Sequence, residues 1–297
     1  MTGKASISLS AVGVPRIPAL ALDTVWFQVA GTLCNLRCHH CFISCGPTNR
    51  SHDYMSRESV RGYLREAEEM GARDFYYTGG EPFLHRDLAG ILEDTLRVGP
   101  ASVLTNGTLI TPHLAASLAE LERASRYSLE LRVSLDGLTP AMNDPIRGDG
   151  TFEETMGGLR ALSGAGFLPI VTVAQTWPDP DDARLREEFH SFLRREGIAR
   201  PRLKILPLFR IGREEGRSRG YAPTEFLTEE HMRGYDPWLL QCSNSRMVTS
   251  RGVYVCPILI DSPDALLATT LRESMKPFPL GHGACHTCWA TGASCRN

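Results

Sequence analysis

The feature that most constrains the fold is a regular alternation of short apolar segments with longer amphipathic segments between residues 24 and 206. The short segments are typical of buried strands, and the apolar residues of the longer ones recur with the period of a helix. Strands separated by helices of this length run parallel, so the alternation predicts an α/β fold, a partial (β/α)6 barrel of the TIM type. The predicted strands are residues 24–30, 74–78, 102–105, 130–135, 169–174 and 202–206, and the predicted helices lie within residues 56–71, 88–97, 112–123, 152–165 and 181–196.

A loop with three cysteines, Cys34, Cys38 and Cys41, follows the first predicted strand. Thiols at this spacing can each bind one iron of a cubic [4Fe-4S] cluster, which leaves the fourth iron open to an exogenous ligand. A structural zinc site is the alternative for the same three thiols. Cys45 is the one candidate for a catalytic side chain, as a hydrogen-atom donor; it is otherwise a spare thiol near the cluster or a buried apolar residue.

A second motif, Gly79-Gly80-Glu81-Pro82, follows the second predicted strand. The glycines let the backbone approach a ligand closely, and Glu81 offers a carboxylate to an ammonium group. A turn with a solvated glutamate is the alternative interpretation. Because parallel strands end at one face of a barrel, we expect this motif to lie beside the cysteine loop.

Together the two motifs resemble the signature of the radical S-adenosylmethionine (SAM) superfamily, over about residues Asp23 to Leu208. The resemblance implies an open (β/α)6 barrel and an enzyme that reductively cleaves SAM at the [4Fe-4S] cluster. The products would be methionine and a 5′-deoxyadenosyl radical, which abstracts hydrogen from a substrate. The methionine amino group of SAM would bind at Glu81. The chain departs from the family at His40, where an aromatic or apolar residue is usual.

Four further residues are candidates for binding SAM. Ser134 and Asp136 stand two apart at the end of a predicted strand, so both can face a polar ligand. The resemblance implies that this ligand is the ribose and carboxylate of SAM, and a turn at Asp136 is the alternative. Asn106 and Arg147 are similar candidates, although Arg147 is equally suited to pair with a surface acid.

The remaining five cysteines lie near the end of the sequence, at Cys242, Cys256, Cys285, Cys288 and Cys295. The Cys-x2-Cys pair among them has the spacing of metal ligands. The arrangement resembles the Twitch extension, the shorter form of the SPASM domain, in which a β-hairpin and a Cys-x2-Cys loop hold an auxiliary [4Fe-4S] cluster. The resemblance implies that four of the five thiols bind this second cluster, and zinc is the alternative metal.

Changes in the character of the sequence divide the chain into three parts. Residues 1–20 are small, apolar and punctuated by proline, and we expect them to form a lead-in. Residues 21–209 carry the radical SAM core barrel, and residues 210–297 carry a linker and the Twitch/SPASM-like auxiliary-cluster domain. The linker is predicted at residues 210–220, where charged residues and glycines show no periodicity, as in an exposed or mobile loop.

Composition narrows the range of partners. The formal net charge is −2, and no run of basic residues is long enough to follow a phosphate backbone, so we expect no nucleic acid. The longest apolar stretches have only the length of a strand, so we expect no membrane. Nine cysteines in two groups and an N-terminus without a signal-peptide core predict a reduced, cytoplasmic protein.

The predicted function is that of a radical SAM oxidoreductase, with a ribosomal peptide favoured as the substrate. The arginine-rich segment 210–220 is a candidate for holding an acidic leader, and a flavodoxin- or ferredoxin-type protein is the expected reductant. The alternative within this class is a radical dehydrogenase or epimerase of a small molecule. The alternative of another class is a non-catalytic iron–sulfur electron carrier or a zinc-binding protein. In such a protein Gly79, Gly80 and Glu81 would have no functional role.

Overall fold

The computed structural model of the chain describes residues 13–177 and 181–292. Within these ranges one nine-stranded sheet forms the centre of the molecule, and two further strands form a small separate sheet. Cys295 and residues 1–12 of the predicted lead-in lie outside the described residues. The strands are β1 (Arg16–Ile17), β2 (Thr24–Gln28), β3 (Asp74–Thr78), β4 (Ala101–Thr105), β5 (Leu129–Ser134), β6 (Ile170–Ala174), β7 (Arg202–Leu206), β8 (Ser245–Thr249), β9 (Gly252–Tyr254), β10 (Leu266–Ala268) and β11 (Phe278–Pro279).

The α-helices of the described residues vary widely in length. Among these helices, none has both the length and the apolar character that crossing a membrane requires. The helices are α1 (Arg57–Glu69), α2 (Leu88–Thr95), α3 (Pro112–Arg123), α4 (Pro140–Arg147), α5 (Thr151–Gly164), α6 (Asp182–Arg195), α7 (Arg213–Ser218), α8 (Glu229–Met232), α9 (Leu271–Ser274) and α10 (Gly283–Thr291).

Strands β2 to β7 pair in parallel in the order of the sequence, and at least one helix stands between each strand and the next. This arrangement confirms the partial (β/α)6 barrel. The observed strands agree with the predicted ones to within two residues at each end. Helix α4 was not predicted, because Pro145 lies inside it and proline usually ends a helix.

Alternation of side chains along β2 separates two apolar layers, as the period of a strand requires. Val25 and Phe27 belong to the core between the sheet and the surrounding helices. Trp26 belongs to a second apolar cluster and stacks on Tyr76, with the ring centroids 4.3 Å apart. The first layer holds the helices against the sheet, and the second contributes to the cavity described below.

The sheet continues beyond the predicted barrel. Strand β8 pairs in parallel with β2, and β9 and β10 extend the sheet with antiparallel pairing. The chain after residue 210 therefore joins the edge of the barrel through main-chain hydrogen bonds. Its role as a distinct auxiliary-cluster unit stays a prediction.

Residues 210–220 do not form a continuous loop, although several of them are exposed, as the prediction of a linker expected. The segment contains α7, and Glu214 is only 1% exposed. The charges that indicated solvent exposure are partnered within the chain: Arg213 Nε donates to the Cys38 carbonyl oxygen, and Arg217 Nε donates to the Glu214 carboxylate, each at 2.9 Å. Part of the predicted lead-in is also ordered, since β1 pairs with β11.

Candidate active site

The carboxyl ends of the barrel strands surround a cavity of about 240 Å³. This face is where barrels of this kind place their active sites. The C-terminal part of the chain closes the cavity with residues such as Met247 and Ile258. The predicted site residues that line it are Cys34, Cys38, Cys41, Cys45, Gly79, Gly80, Asn106, Ser134 and Arg147.

The two glycines let the cysteine loop pack against the end of β3. The Gly80 N–H donates to the Gly31 carbonyl at 2.9 Å, and the Glu81 N–H donates to the Leu33 carbonyl at 3.0 Å. A Cβ atom on Gly80 would stand 1.9 Å from the Leu33 oxygen, so a larger residue would displace the loop. Gly79 has a φ of +144°, which favours glycine. Both glycines therefore hold the loop as well as lining the cavity.

The surroundings of the three thiols of the loop shift their pKa values in different directions. Burial raises the pKa of Cys34 to about 12 and also raises the pKa of Cys38. A hydrogen bond with the Cys45 side chain lowers the pKa of Cys41 to about 6. The Cys45 N–H adds a second hydrogen bond to the Cys41 Sγ at 3.3 Å. These two hydrogen bonds favour the thiolate form of Cys41, the form that binds iron.

The donor set fits an iron–sulfur cluster. Thiolates are the ligands of such clusters, and the three thiols of the loop line one cavity here together with that of Cys45. Within residues 13–177 and 181–292, no three Cys, His, Asp or Glu side chains are gathered closely enough to share a single metal ion. The Cys45 Sγ lies 3.8 Å from the Gly79 carbonyl oxygen in the same cavity. Cys45 is thus a buried thiol next to the cysteine loop.

Asp136 is not among the residues that line the cavity, and the prediction that it faces a ligand together with Ser134 stays a prediction. Its buried carboxylate lies 2.7 Å from the Nε of Arg147 and 2.7 Å from the Nε2 of His40. Burial alone would raise the pKa of Asp136, but Arg147 and His40 hold this pKa well below its usual range. The carboxylate therefore stays charged and orients two side chains that do line the cavity.

Asn106 connects the end of β4 to the cysteine loop. Its Nδ2 donates to the Asn35 Oδ1 at 2.9 Å and to the Cys34 Sγ at 3.9 Å. Asn35 in turn donates to the Thr108 Oγ1 at 2.9 Å. These amide hydrogen bonds hold the first cysteine of the loop in place.

Glu81 is completely buried, and the prediction that its carboxylate binds an ammonium group stays a prediction. One carboxylate oxygen accepts from Thr105 Oγ1 at 2.7 Å and from Phe83 N at 3.1 Å. The other accepts from Asn106 N at 2.8 Å. Burial raises the pKa of Glu81 to about 7, and these hydrogen bonds oppose the shift. Glu81 therefore ties the end of β3 to the end of β4.

Replacing Glu81 by alanine should destabilise the fold by about 3 kcal/mol, because three buried donors lose their acceptor. Urea unfolding should show the loss as a lower midpoint. Glu93→Ala is the matched control, since the Glu93 side chain is 48% exposed and its ion pairs lie at the surface. This control should change stability by less than about 0.5 kcal/mol. Equal midpoints for the two variants would contradict the role given to Glu81.

Arg213 is a site residue that the sequence did not indicate. Its guanidinium donates to the carbonyl oxygens of Cys38 and Ser44, each at 2.9 Å, and to that of Cys45. It reaches the cavity from α7. The sequence around Arg213 is charged and has no periodicity, so it did not predict a helix there. The one local indication of the start of α7 is Gly212, whose φ of +62° favours glycine.

Four of the five C-terminal cysteines line a second cavity, of about 30 Å³: Cys242, Cys256, Cys285 and Cys288. The first two flank the β8–β9 hairpin, and the other two lie on α10. Burial raises the pKa of Cys242 to about 11 and that of Cys285 well above its usual range. Four thiols around one small cavity provide the donor set of a four-thiolate [4Fe-4S] cluster, but among the described residues no three of them are gathered closely enough to share a single metal ion such as zinc.

A buried arginine supports this second cavity. Arg246 on β8 is 1% exposed, and it donates to the carbonyl oxygens of Cys242 at 2.7 Å and Ser274 at 3.1 Å. It therefore fixes the backbone at the first cysteine and places a positive charge beside thiols that must ionise to bind a metal.

A family model described as the Radical SAM superfamily matches residues 29–189, more than half of the chain. The mycofactocin maturase of Mycolicibacterium smegmatis is 32% identical over 209 residues, which cover 70% of this chain and 49% of that protein. The GTP 3′,8-cyclase of Microcystis aeruginosa is 26% identical over 284 residues, which cover 82% of this chain and 84% of that protein. The chain spans half or less of the length of the mycofactocin maturases that it matches.

Two solved structures have a similar fold. Streptococcus suis SuiB bound to S-adenosylmethionine has a TM-score of 0.60 at 16% identity, covering 82% of this chain and 62% of that one. Native anSMEcpe with bound AdoMet and the Kp18Cys peptide has a TM-score of 0.61 at 18% identity. The match covers 84% of this chain and 79% of that one. At these identities the likeness shows the fold alone.

Proposed function

Since this chain belongs to the radical SAM superfamily, we propose that it reductively cleaves SAM at a [4Fe-4S] cluster held by Cys34, Cys38 and Cys41. When bound, the cluster and SAM supply a 5′-deoxyadenosyl radical that abstracts hydrogen from a substrate. The observation that carries the proposal is the convergence of the three thiols with Gly79 and Gly80 on one cavity.

The chain's own residues bind and orient SAM in this proposal. Asn106, Ser134 and Arg147 line the cavity and offer an amide, a hydroxyl and a guanidinium to its polar groups. Arg147 is suited to a carboxylate, because a guanidinium can pair with two carboxylates at once and Asp136 already fixes its position. Glu81 and Asp136 act indirectly, by holding residues that line the cavity.

We also propose that Cys242, Cys256, Cys285 and Cys288 bind a second [4Fe-4S] cluster, and that residues 210–297 form the Twitch/SPASM-like part of the enzyme. The four thiols around one cavity support this assignment. The second cluster would serve the substrate or accept its electron, because the residues that line the SAM cavity do not include these four thiols.

Reconstituted protein should bind about eight iron atoms per chain, because each cubic cluster contains four. Cys242→Ala combined with Cys256→Ala should reduce the content to about four. Iron and zinc are measured together by atomic emission. Cys45→Ala removes a thiol outside the two proposed ligand sets and should keep the full content. About four iron atoms with zinc making up the remainder in the wild-type protein would mean that the C-terminal thiols bind zinc.

The experiment that tests the proposed function is the formation of 5′-deoxyadenosine from SAM. Reconstituted, dithionite-reduced protein is incubated with SAM, and the product is measured by liquid chromatography. We expect product only when both the clusters and the reductant are present. Fully loaded, reduced protein that leaves SAM intact would contradict the proposal and favour an iron–sulfur electron carrier.

We propose a peptide as the substrate, a flavodoxin- or ferredoxin-type protein as the reductant and the cytoplasm as the location. Similarity to the mycofactocin maturase supports the peptide. The proposal does not use segment 210–220 to hold a leader, because Arg213 and Arg217 are partnered within the chain. A nucleotide is the second candidate, because similarity to the GTP 3′,8-cyclase extends over 82% of this chain. Incubation with the peptides encoded beside the gene, and separately with GTP, distinguishes the two by mass spectrometry of the products.

A further inference from the structure

The sulfur atoms of the cysteine loop accept hydrogen bonds from main-chain N–H groups and from a side-chain amide. The Leu36 N–H donates to the Cys34 Sγ at 3.4 Å, and the Cys45 N–H donates to the Cys41 Sγ at 3.3 Å. The amide is that of Asn106, which follows β4, and its Nδ2 donates to the Cys34 Sγ at 3.9 Å. Cys34 therefore has one N–H donor from its own loop and another from the end of a different strand.

The neighbours of the Asn106 amide fix which of its ends faces Cys34. The two ends are distinguished by their partners, because the oxygen accepts and the nitrogen donates. The main-chain N–H of Thr108 can only donate, and its acceptor, at 2.9 Å, is the Asn106 Oδ1. The Thr108 Oγ1 donates to the same oxygen at 2.8 Å. The opposite end, which carries the hydrogen atoms, is thus turned toward the sulfur.

Asn106 is also held firmly in this position. Its Nδ2 donates to the Asn35 Oδ1 at 2.9 Å, and its main-chain N–H donates to the Glu81 carboxylate at 2.8 Å. The residue is 7% exposed. Because the side chain is already ordered, little conformational entropy is lost when the sulfur it faces becomes a ligand.

Cys34 is a buried thiol, so the groups around it determine how well its charge is stabilised. A neutral thiol is a weak acceptor of hydrogen bonds. A thiolate that binds iron carries negative charge, and hydrogen bonds to ionised groups are about twice as strong as those between neutral groups. The N–H groups that face Cys34 therefore become stronger partners when a cluster is bound.

Donors to a ligand sulfur affect the two oxidation states of a cluster unequally. Reduction adds one negative charge, part of which resides on the sulfur atoms, so an N–H donor stabilises the reduced state more than the oxidised state. Hydrogen bonds to the sulfur atoms are accordingly among the factors that set the reduction potential of an iron–sulfur cluster. The loss of such a donor lowers the potential and makes the cluster harder to reduce.

We propose that the Asn106 side chain raises the reduction potential of the cluster held by Cys34, Cys38 and Cys41, through its N–H···S hydrogen bond to Cys34. This inference rests on the proposed function, because it concerns the cluster of that function. Asn106 is a positioning residue in this role, since it acts on the cluster through Cys34. It would make the cluster a better acceptor of the electron that SAM cleavage requires.

The test is a redox titration of reconstituted protein, followed by electron paramagnetic resonance. The Cys285→Ala, Cys288→Ala background leaves one cluster to give the signal, and SAM is left out so that its own contact with Asn106 does not enter the result. Asn106→Leu has a similar branched shape and cannot donate. We expect reduction to become about fivefold less favourable, which lowers the midpoint potential by about 40 mV at about 59 mV per tenfold change for one electron. An unchanged midpoint would overturn the inference.

Asn49→Leu is the matched control for a loosened loop. The Asn49 amide also holds the cysteine loop, because it accepts from the Thr32 Oγ1 at 3.1 Å and donates to the Ser44 carbonyl oxygen at 3.0 Å. Its hydrogen bonds within the described part of the chain are with oxygen and nitrogen atoms. The control should therefore keep the midpoint of the parent protein. Equal shifts in Asn49→Leu and Asn106→Leu would overturn the inference.

Asn106→Ser is the second variant if Asn106→Leu loses its cluster. A serine hydroxyl can accept from the N–H two residues further on, as the Asn106 oxygen does from Thr108, but it is too short to donate to Cys34. The midpoint should again fall, and an unchanged midpoint in this variant would overturn the inference. Loss of the cluster in both variants would also overturn it, because Asn106 would then hold the loop without tuning the cluster.

Cleavage of SAM by the wild-type protein is measured in parallel, so that a failure of the proposed function is recognised separately. The redox titration does not depend on turnover, and it reports on Asn106 even if no product forms. The expected shift in a protein that leaves SAM intact would count against the radical mechanism alone. Cleavage of SAM together with an unchanged midpoint in the Asn106 variant would count against the role of Asn106 alone.

Discussion

Reconstituted Cys38→Ala protein is expected to release no 5′-deoxyadenosine above background, a loss of about 10³-fold or more. The thiol of Cys38 is one of the three proposed cluster ligands that line the cavity, and a cluster with two protein ligands is poorly anchored. The measurement is the rate of 5′-deoxyadenosine formation from SAM with dithionite as the reductant. The same sample should contain about four iron atoms fewer than the wild type.

Cys45→Ala is the matched control for this experiment. It removes a thiol four residues after Cys41 that is buried in the same cavity, and it should keep the full iron content. SAM cleavage by Cys38→Ala at a rate near that of the wild type would remove the N-terminal loop from the mechanism. Equal iron loss in both variants would mean that Cys45 is itself a ligand.

The second large effect concerns the C-terminal thiols. Cys285→Ala combined with Cys288→Ala should still form 5′-deoxyadenosine but should give no detectable modified substrate, a loss of about 10³-fold or more. These two thiols line the second cavity, whereas the residues proposed to bind SAM line the first, so their loss should leave SAM cleavage intact. Both products are measured in one reaction, with a soluble variant that retains about four iron atoms.

A control addresses the packing of the C-terminal segment on the barrel. Strand β8 pairs with β2, so a variant that loosened this contact would lose SAM cleavage for a structural reason. Urea unfolding of the double variant, compared with Cys45→Ala, detects that loss. Full formation of the modified substrate by the double variant would remove the C-terminal thiols from the reaction.

The barrel was predictable because its signals are local and repeated. Each strand is a short apolar segment and each helix has its own period, so the bounds of β7 and α3 were predicted to the residue. The spacing of the thiols is likewise a local signal. The thiols of Cys242 and Cys288, 46 positions apart in the sequence, line one cavity, and their binding of one cluster stays a prediction.

The roles of the charged residues were not predictable, because they depend on depth within the fold. The sequence at the end of a strand does not reveal whether a carboxylate there faces the cavity or is buried against neighbouring strands and loops. Glu81 and Asp136 both face inward, where main-chain and side-chain donors surround them. The role of Arg213 was not predicted for the same reason, because its partners are carbonyl oxygens of a loop far away in the sequence.

The same limit applies to the edge of the sheet. Pairing of β8 with β2 joins segments more than two hundred residues apart, and no local pattern indicates that partner. The division at residue 210 follows a real change in composition, but composition does not report which main-chain groups are already paired. Arg213, close to that division, donates to main-chain carbonyl oxygens of the cysteine loop of the barrel.

The most direct test of the central claim is electron paramagnetic resonance of the reduced N-terminal cluster with and without SAM. The Cys285→Ala, Cys288→Ala variant is the sample of choice, because one cluster then gives the whole signal. If Cys34, Cys38 and Cys41 leave one iron open, SAM labelled with ¹⁵N in its amino group should change the spectrum and add a coupling to the ¹⁵N nucleus. An identical spectrum with and without saturating SAM would contradict the account.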